Sequence, residues 1–494
     1  MGSYTADAAF QAKVRSLLTA DPGLPRPNPT QSFWQLPPHP DVSNIQSPVL
    51  RKETDIVIIG SGITGCSVAR ALLEDEPLGP VHVTILEART LVSGATGRNG
   101  GHLVSAAGHK FSDWSKAHGV DTAKAMARFS LMNVDRVQEI VNKMSPDVKE
   151  KSEIRAVEKL CVASDDTLWQ HHVDSVKMMA RELPERKDHN RLLDVPELNE
   201  EWGLINVVGG YAQKAGALWP YRMCTEIYAD LLKKYADRLT IETCTPVTSV
   251  DDDPSSASHR YTVTTPRGSI KANRVVYCTN GFTGHLLPLL RGKIHPCRGH
   301  MTTQAVPGHF PSQGAYRSWS LMQPQRLDPK TGNYHFGLYY LQQNAKTKDL
   351  FVGVENQTLD EFLCSDDSFV SEASMNDLPN FLPRLFKAVS GEGDKPKLKA
   401  IWSGVMGLTT DGLPLVGQLP SNATGRETAQ EWIAAGFQGY GMDKCWLTGE
   451  AVVAMMAGKD VSSWFPSAYV ITEERIATKM DLEQVVDEYV HIAA

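Results

Sequence analysis

The chain has 494 residues, 41% of them hydrophobic and 22% charged, with a formal net charge of −7. This is an ordinary soluble globular composition, with room for two or three domain-sized units and a sizeable core. The mild acidity and the lack of a basic stripe argue against nucleic acid as a partner, and no apolar run is long enough to span a bilayer.

The opening "MGSYTADAAFQAKVRSLL" lacks an apolar signal core, and Ala6 stands where a myristoylation signal on Gly2 needs Ser or Thr. The final "VHIAA" is not a peroxisomal address, so a cytoplasmic location is expected. Residues 1–50, with "DPGLPRPNPTQSFWQLPPHP", read as an extended arm over the main body, with Phe33 and Trp34 buried where it docks. Residues 55–60 are a nearly all-apolar run, as expected of a parallel strand covered on both faces. Ile63, Cys66, Ala69, Leu72 and Leu73 follow at helical spacing, and in "VHVTILE" Val81, Val83 and Ile85 alternate as in a strand.

From about 111 to 207 the pattern predicts long polar helices, and "YRMCTEIYADLLKKYADRL" predicts another helix. The run Asp251, Asp252, Asp253 reads as a solvated loop tip before a hairpin, "RYTVTTPRGSIKAN". "RVVYCTNGF" is a buried strand ending in a glycine turn, and residues 291–400 are β-rich. "WIAAGFQGYGMDKCWLTGEAVVAMMAG" closes the chain as strand, glycine turn and last helix, beginning at Gly439. Eight cysteines without CxxC or metal-ligand spacing predict reduced thiols and no metal.

Gly60, Ser61, Gly62, Ile63, Thr64 and Gly65 make a GxGxxG that follows a buried strand and opens a helix. Gly60 permits the tight turn, Gly62 lets backbone approach a pyrophosphate, and Gly65 lets helix and strand pack closely. The helix N-terminus offers unpaired N–H donors to the phosphates. Glu87, at the end of the next strand, can accept both ribose hydroxyls, and its charge disfavours a 2′-phosphate. A dinucleotide is expected. The fold class is then α/β (α+β overall). A Rossmann-like cofactor domain is assembled from segments 51–110, 208–290 and 400–494, with an inserted mixed β-sheet substrate domain from 111–207 and 291–399.

The residues after Glu87 bear on which dinucleotide. Ala88, Arg89 and then Gly94, Ala95, Thr96, Arg98, Asn99, Gly100, Gly101, His102 and Leu103 resemble the flavin-binding stretch of the D-amino-acid-oxidase-like FAD oxidoreductases. The form "GATGRNGG" is most similar to the gamma-glutamylputrescine oxidase and glycine oxidase-like amine oxidases of that family. Three further stretches carry the resemblance: "TPVTSV", with Val247 facing the adenine; "VVYCTNGF", with Thr279, Asn280 and Gly281 at the pyrophosphate; and "WSGVMGLTTDGLPLVG" with "AAGFQGYGMDKC". The last pair contributes Asp411, Gly412, Gly439, Tyr440, Gly441 and Met442.

The resemblance implies FAD, and hydride transfer from the carbon beside an amine nitrogen to flavin N5. Imine hydrolysis and reoxidation by O2 to H2O2 would follow. By the same resemblance His300 is a candidate base and Tyr340 a candidate catalytic residue, with Tyr339, Met301 and Tyr440 around the substrate; a packed histidine is the alternative for His300. The family's carboxylate-binding arginine has no counterpart near Tyr340, which favours an amine or a larger amino derivative over a simple α-amino acid. Positions that carry covalent flavin in relatives are Gly404 and Asn99 here, with His102 three residues beyond, so non-covalent FAD is expected. A flavin dehydrogenase, a tailoring oxidase of natural-product assembly, or a low-turnover FAD-binding regulatory protein remain alternatives.

Overall fold

The computed structural model describes residues 8–256, 258–427 and 430–493; Gly2, Ala6 and the terminal Ala494 lie outside the described residues. Strands β1 (Glu53–Ile59), β2 (Val83–Leu86), β3 (His102–Leu103), β4 (Arg155–Ala163), β5 (Asn190–Leu193) and β6 (Gly209–Ala217) come from the first half of the chain. They are followed by β7 (Leu239–Glu242), β8 (Ser249–Asp252), β9 (Tyr261–Thr265), β10 (Gly268–Tyr277), β11 (Ile294–Ala305) and β12 (Arg317–Met322). Then come β13 (Leu338–Gln343), β14 (Leu350–Val354), β15 (Lys397–Thr409), β16 (Leu415–Gln418) and β17 (Glu431–Ala435).

Among the described residues these strands form two large sheets. The first runs β16-β17-β10-β1-β2-β7, with the β8–β9 hairpin joined to β10. The second runs β15-β11-β14-β13-β12-β4-β6-β3, with β5 on β6. β1 pairs in parallel with β10 and β2, and β2 with β7. Parallel strands at the centre of such a sheet are covered on both faces, so they are apolar throughout. Accordingly Ile56 and Ile58 enter one core cluster while Val57 and Ile59 enter another.

Helix α1 (Ala8–Thr19) precedes the proline-rich stretch, and α2 (Ile63–Glu74) packs on the first sheet. At Gly65 an added Cβ would lie 2.1 Å from the Gly60 carbonyl oxygen, so glycine sets how closely α2 can approach β1. Helices α3 (Ala107–His118), α4 (Val120–Lys143), α5 (Asp166–Glu182) and α6 (Pro220–Lys234) follow. Near the end of the chain come α7 (Cys445–Met456), α8 (Glu473–Thr478) and α9 (Leu482–Ala493).

Several expectations are corrected. The arm is not wholly extended, because it begins with α1. The stretch 111–207 is not only helical, since β4 and β5 lie in it; a strand between amphipathic helices is masked by their polar faces. β6 and β15, expected within cofactor segments 208–290 and 400–494, are strands of the second sheet, as is β3. Asp251 and Asp252 belong to β8, where Arg260 pairs with Asp252. β2 does not alternate but is buried on both faces. Gly439 does not open the last helix: α7 starts at Cys445, and α8 and α9 follow it.

Docking of the arm is specific. Trp34 is 1% exposed and stacks on Phe351 with ring centroids 4.0 Å apart. Ser32 Oγ donates to the Gly97 carbonyl at 2.7 Å, Trp34 Nε1 donates to the Asn99 carbonyl, and Gln35 Nε2 reaches the Ser93 carbonyl at 3.2 Å. The arm therefore holds the second glycine-rich stretch by its backbone, wedged against the second sheet.

Candidate active site

A cavity of about 530 Å³ is bounded by the carboxyl ends of β1, β2 and β10 and by one face of the second sheet. The carboxyl ends of parallel strands are where open α/β sheets receive ligands. Gly60 has φ +104°, and a Cβ there would come 2.6 Å from the Cys278 carbonyl oxygen, so the turn requires glycine. Ser61, Gly62, Ile63 and Thr64 line the cavity where α2 begins. Thr96 Oγ1 accepts the Ile63 N–H at 3.0 Å, which joins the two glycine-rich stretches.

Glu87 lines the cavity and is 8% exposed. One of its oxygens accepts from the Ser61 N–H (3.0 Å) and Oγ (2.6 Å), the other from the Arg89 N–H (3.0 Å). A carboxylate offers about four lone-pair sites, so room remains for one ribose hydroxyl rather than two.

Ala88, Arg89, Gly94, Ala95, Arg98, Asn99, Gly100 and His102 also line the cavity. The guanidinium groups of Arg89 and Arg98 turn to Asp367, at 2.9 and 3.6 Å, so both charges are paired within the protein. Burial pushes Arg98 down to about 10. His102 donates from Nε2 to the Leu341 carbonyl (2.8 Å), and burial holds it neutral, down to about 3. Val247, Thr279, Asn280, Gly439, Tyr440, Gly441 and Met442 complete the expected residues found in the wall.

Six expected cofactor residues lie outside the wall. Gly65 packs helix on strand, and a Cβ on Gly101 would meet Gln342 Nε2 at 2.2 Å. Leu103 is fully buried in the core, and a Cβ on Gly281 would lie 2.3 Å from the Met406 carbonyl oxygen. Asp411 pairs with Arg475 of α8 at 2.8 Å, and Gly412, φ +72°, forms the turn beside it. These residues shape the site's supports.

Strand parity sorts the substrate-side residues. On β11, Cys297, Gly299 and Met301 line the cavity, so His300 faces away. Its Nδ1–H donates to Ser374 Oγ at 3.0 Å, which in turn donates to the Asn356 carbonyl, while Nε2 accepts the Ser371 N–H at 3.2 Å. Both ring nitrogens are occupied, and burial pushes His300 down to about 3. It is a structural histidine, not a base for the cavity. On β13, Tyr340 lines the cavity and Tyr339 does not: Tyr339 stacks on Phe381 at 4.0 Å and donates to Asp377 at 2.6 Å. A Cβ on Gly100 would lie 2.8 Å from the Tyr340 ring, and one on Gly353 would strike both Tyr340 and Met301. Two glycines thus make room for this tyrosine. Tyr440 Oη lies 3.4 Å from His109 Nε2.

Sequence reasoning missed several ionisable residues of the wall, His109, Lys110 and His285 and, above all, Glu355 and Lys159. Glu355 follows β14 and is 9% exposed; burial pushes its carboxyl up to about 7, and the facing Tyr340 phenol offsets part of that rise. Lys159, on β4, is 5% exposed, and burial pushes it down. A single acid closing the apolar run "LFVGVE", and a lysine sharing a strand face with Val157 and Cys161, were the available signals.

The donor set fits FAD. There is a glycine turn that admits no Cβ, a helix N-terminus for the pyrophosphate, a carboxylate for a ribose hydroxyl, and a small-residue stretch at Gly94–Gly100. The model of a family described as FAD dependent oxidoreductase matches residues 55–455. The chain is 23% identical over 417 residues to gamma-glutamylputrescine oxidoreductase of Escherichia coli (strain K12), covering 82% of this chain and 84% of that protein. Glycine oxidase from Geobacillus kaustophilus shares the fold with a TM-score of 0.63 and 17% identity, over 85% of this chain and 99% of that one. L-proline dehydrogenase from P. horikoshii does so with a TM-score of 0.61 and 19% identity, over 85% and 98%. The chain is an enzyme that belongs to the FAD dependent oxidoreductase family.

Proposed function

We propose that the enzyme oxidises a C–N bond of an amine or amino-acid derivative to an imine, which water then hydrolyses to a carbonyl compound and the released amine. When bound, FAD supplies the two-electron acceptor for the hydride that leaves the carbon. Dioxygen then takes the two electrons and two protons to give hydrogen peroxide. The reading places this reaction in the cytoplasm.

The observation that carries the proposal is Glu355, a buried carboxyl poised near neutrality in the wall of the cavity and facing Tyr340. An alkylammonium has a pKa near 10 in water and cannot release hydride while its lone pair holds a proton. A carboxylate with pKa about 7 can accept that proton at neutral pH, and Tyr340 holds the carboxylate in place. Met301, Tyr340 and Tyr440 give the substrate an apolar, aromatic wall with two phenol groups to orient it. The three proteins named above are, by name, a gamma-glutamylputrescine oxidoreductase, a glycine oxidase and an L-proline dehydrogenase, which supports a C–N bond as the target.

Non-covalent FAD is part of the proposal. Cys278, Cys297 and Cys445 line the cavity, but burial pushes all three thiols up, Cys445 to about 12. Neutral thiols are poor nucleophiles toward the flavin ring. An oxygen electrode paired with a peroxide assay tests the proposal. One O2 consumed and one H2O2 formed per carbonyl product is expected, and carbonyl formation without oxygen uptake would replace the oxidase by a dehydrogenase.

A further inference from the structure

Lys159 is a cation of the cavity that no charge among the described residues pairs with. It is 5% exposed and lines the cavity, yet its Nζ has no hydrogen-bond or ion-pair partner among the described residues. The carboxylates of the wall are committed elsewhere: Glu87 to Ser61 and Arg89, Asp443 to Lys444 and Ser130, and Glu355 to Tyr340. Lys110, also in the wall, pairs with Asp113. A buried ammonium without a counter-ion is costly, which pushes Lys159 down, and an anionic ligand that pairs with it offsets that cost.

A second, independent orphan lies on the next strand. Ser320 of β12 lines the same cavity, is 1% exposed, and its Oγ has no hydrogen-bond partner among the described residues. β12 and β4 pair in parallel, with Ser320 two residues along from the partner of Lys159, Ser318. An ammonium and a hydroxyl on neighbouring strands, both facing the cavity, match the two oxygens of a carboxylate.

We propose that Lys159 and Ser320 bind a carboxylate of the substrate at a distance from the reacting C–N bond. This rests on the amine reading above and narrows it. β4 is separated from β14, which carries Glu355 at its end, by β12 and β13, three strand spacings or ~14 Å. Tyr340 lies between them, directly opposite Ser320 on the neighbouring strand, so an amine at Glu355 and an acid at Lys159 belong to an extended molecule that passes over Tyr340, an ω-amino acid or a longer amino-acyl amine rather than a simple α-amino acid. The same cation in the wall disfavours diamines, whose second ammonium it would repel.

Two measurements on the holoenzyme test this. The first is anaerobic flavin reduction by ω-amino acids of three to eight carbons against n-alkylamines of equal length, in wild type and in Lys159→Met. The second is calorimetric binding of butyrate against butyramide, which needs no turnover. Wild type is expected to prefer the ω-amino acid at least tenfold at the best length, and to bind butyrate but not butyramide. In Lys159→Met the preference falls to near one and butyrate binding weakens at least tenfold; Lys159→Arg restores part of both, and Ser320→Ala loses part. A preference that survives Lys159→Met, or loss of both substrate types in equal proportion, overturns the assignment. If alkylamines reduce the flavin while butyrate does not bind, this inference fails and the amine reading stands. If butyrate binds through Lys159 while no amine reduces the flavin, the carboxylate site stands and the amine reading fails.

Discussion

Thr96 caps the helix that the first glycine turn opens: its Oγ1 accepts the Ile63 N–H at 3.0 Å, across 33 positions of sequence. The same oxygen lies 3.1 Å from where a Cβ on Gly62 would stand. One side chain thus fixes the entry of α2 and the spacing between the two glycine-rich stretches. Thr96→Val keeps the shape and removes the acceptor, at a cost of about 1 kcal/mol typical of a lost cap. The purified variant is expected to carry several-fold less flavin per protein after dialysis, with unchanged far-ultraviolet circular dichroism. Retention equal to wild type would mean that the two stretches are held together by other contacts.

Trp34 ties the arm to the same stretch and stacks on Phe351. Truncation to alanine removes a fully buried indole, worth about 3–5 kcal/mol. Trp34→Ala is expected to lower the thermal midpoint and to speed release of FAD, followed as recovery of flavin fluorescence on dilution. Loss of stability with FAD release at the wild-type rate would separate the arm from the cofactor.

Glu355 gives a pH signature with a definite sign. Its carboxyl titrates near 7 when folded, against 4.5 as the ordinary value, so it is neutral below that pH and able to accept a proton above it. Substrate kcat/KM is therefore expected to rise through an apparent pKa near 7. Glu355→Gln should lose that limb and roughly 10²-fold in kcat/KM. Stability moves the other way. Below pH 4.5 the carboxyl is protonated in both states and costs nothing; above pH 7 its ionisation when buried costs about 3 kcal/mol, which glutamine avoids. The variant's thermal midpoint relative to wild type should be higher at pH 8 than at pH 4.5. An activity limb that persists in Glu355→Gln would assign the titration to another group.

Acid precipitation should leave the flavin in the supernatant and the pellet colourless, because the cavity thiols are held neutral by burial and no covalent link is expected. A yellow pellet, with a flavin peptide after proteolysis, would identify the attachment and remove the non-covalent reading.

The dinucleotide turn was legible because its information is local. Gly60, Gly62 and Gly65 fall within six residues, at the junction of a buried strand and the helix that follows, and Glu87 directly follows the adjacent strand. The substrate side was not, for a reason of parity. β11 is buried along nearly its whole length on both faces, so no polar–apolar alternation tells which residues point inward, and both His300 and its neighbour Met301 were expected at the substrate although only Met301 faces it. In "LYYLQQ" the same uncertainty separates Tyr339 from Tyr340. Lys159 was hidden differently, since β4 lies in a stretch that reads as helix, and its meaning depends on the absence of any partner in three dimensions. Asp411 and Gly412 sit in a family-like segment but serve Arg475 and a turn, because a motif specifies a backbone path and not every contact along it.

The central claim is amine oxidation in a cavity where Glu355 receives the amine's proton. Its most direct test is anaerobic mixing of the purified flavoprotein with primary, secondary and acylated amines while flavin absorbance is followed. The account predicts bleaching by at least one amine class, faster at pH 8 than at pH 6 and slowed in Glu355→Gln. No bleaching by any amine, with FAD bound and the protein folded, would contradict it.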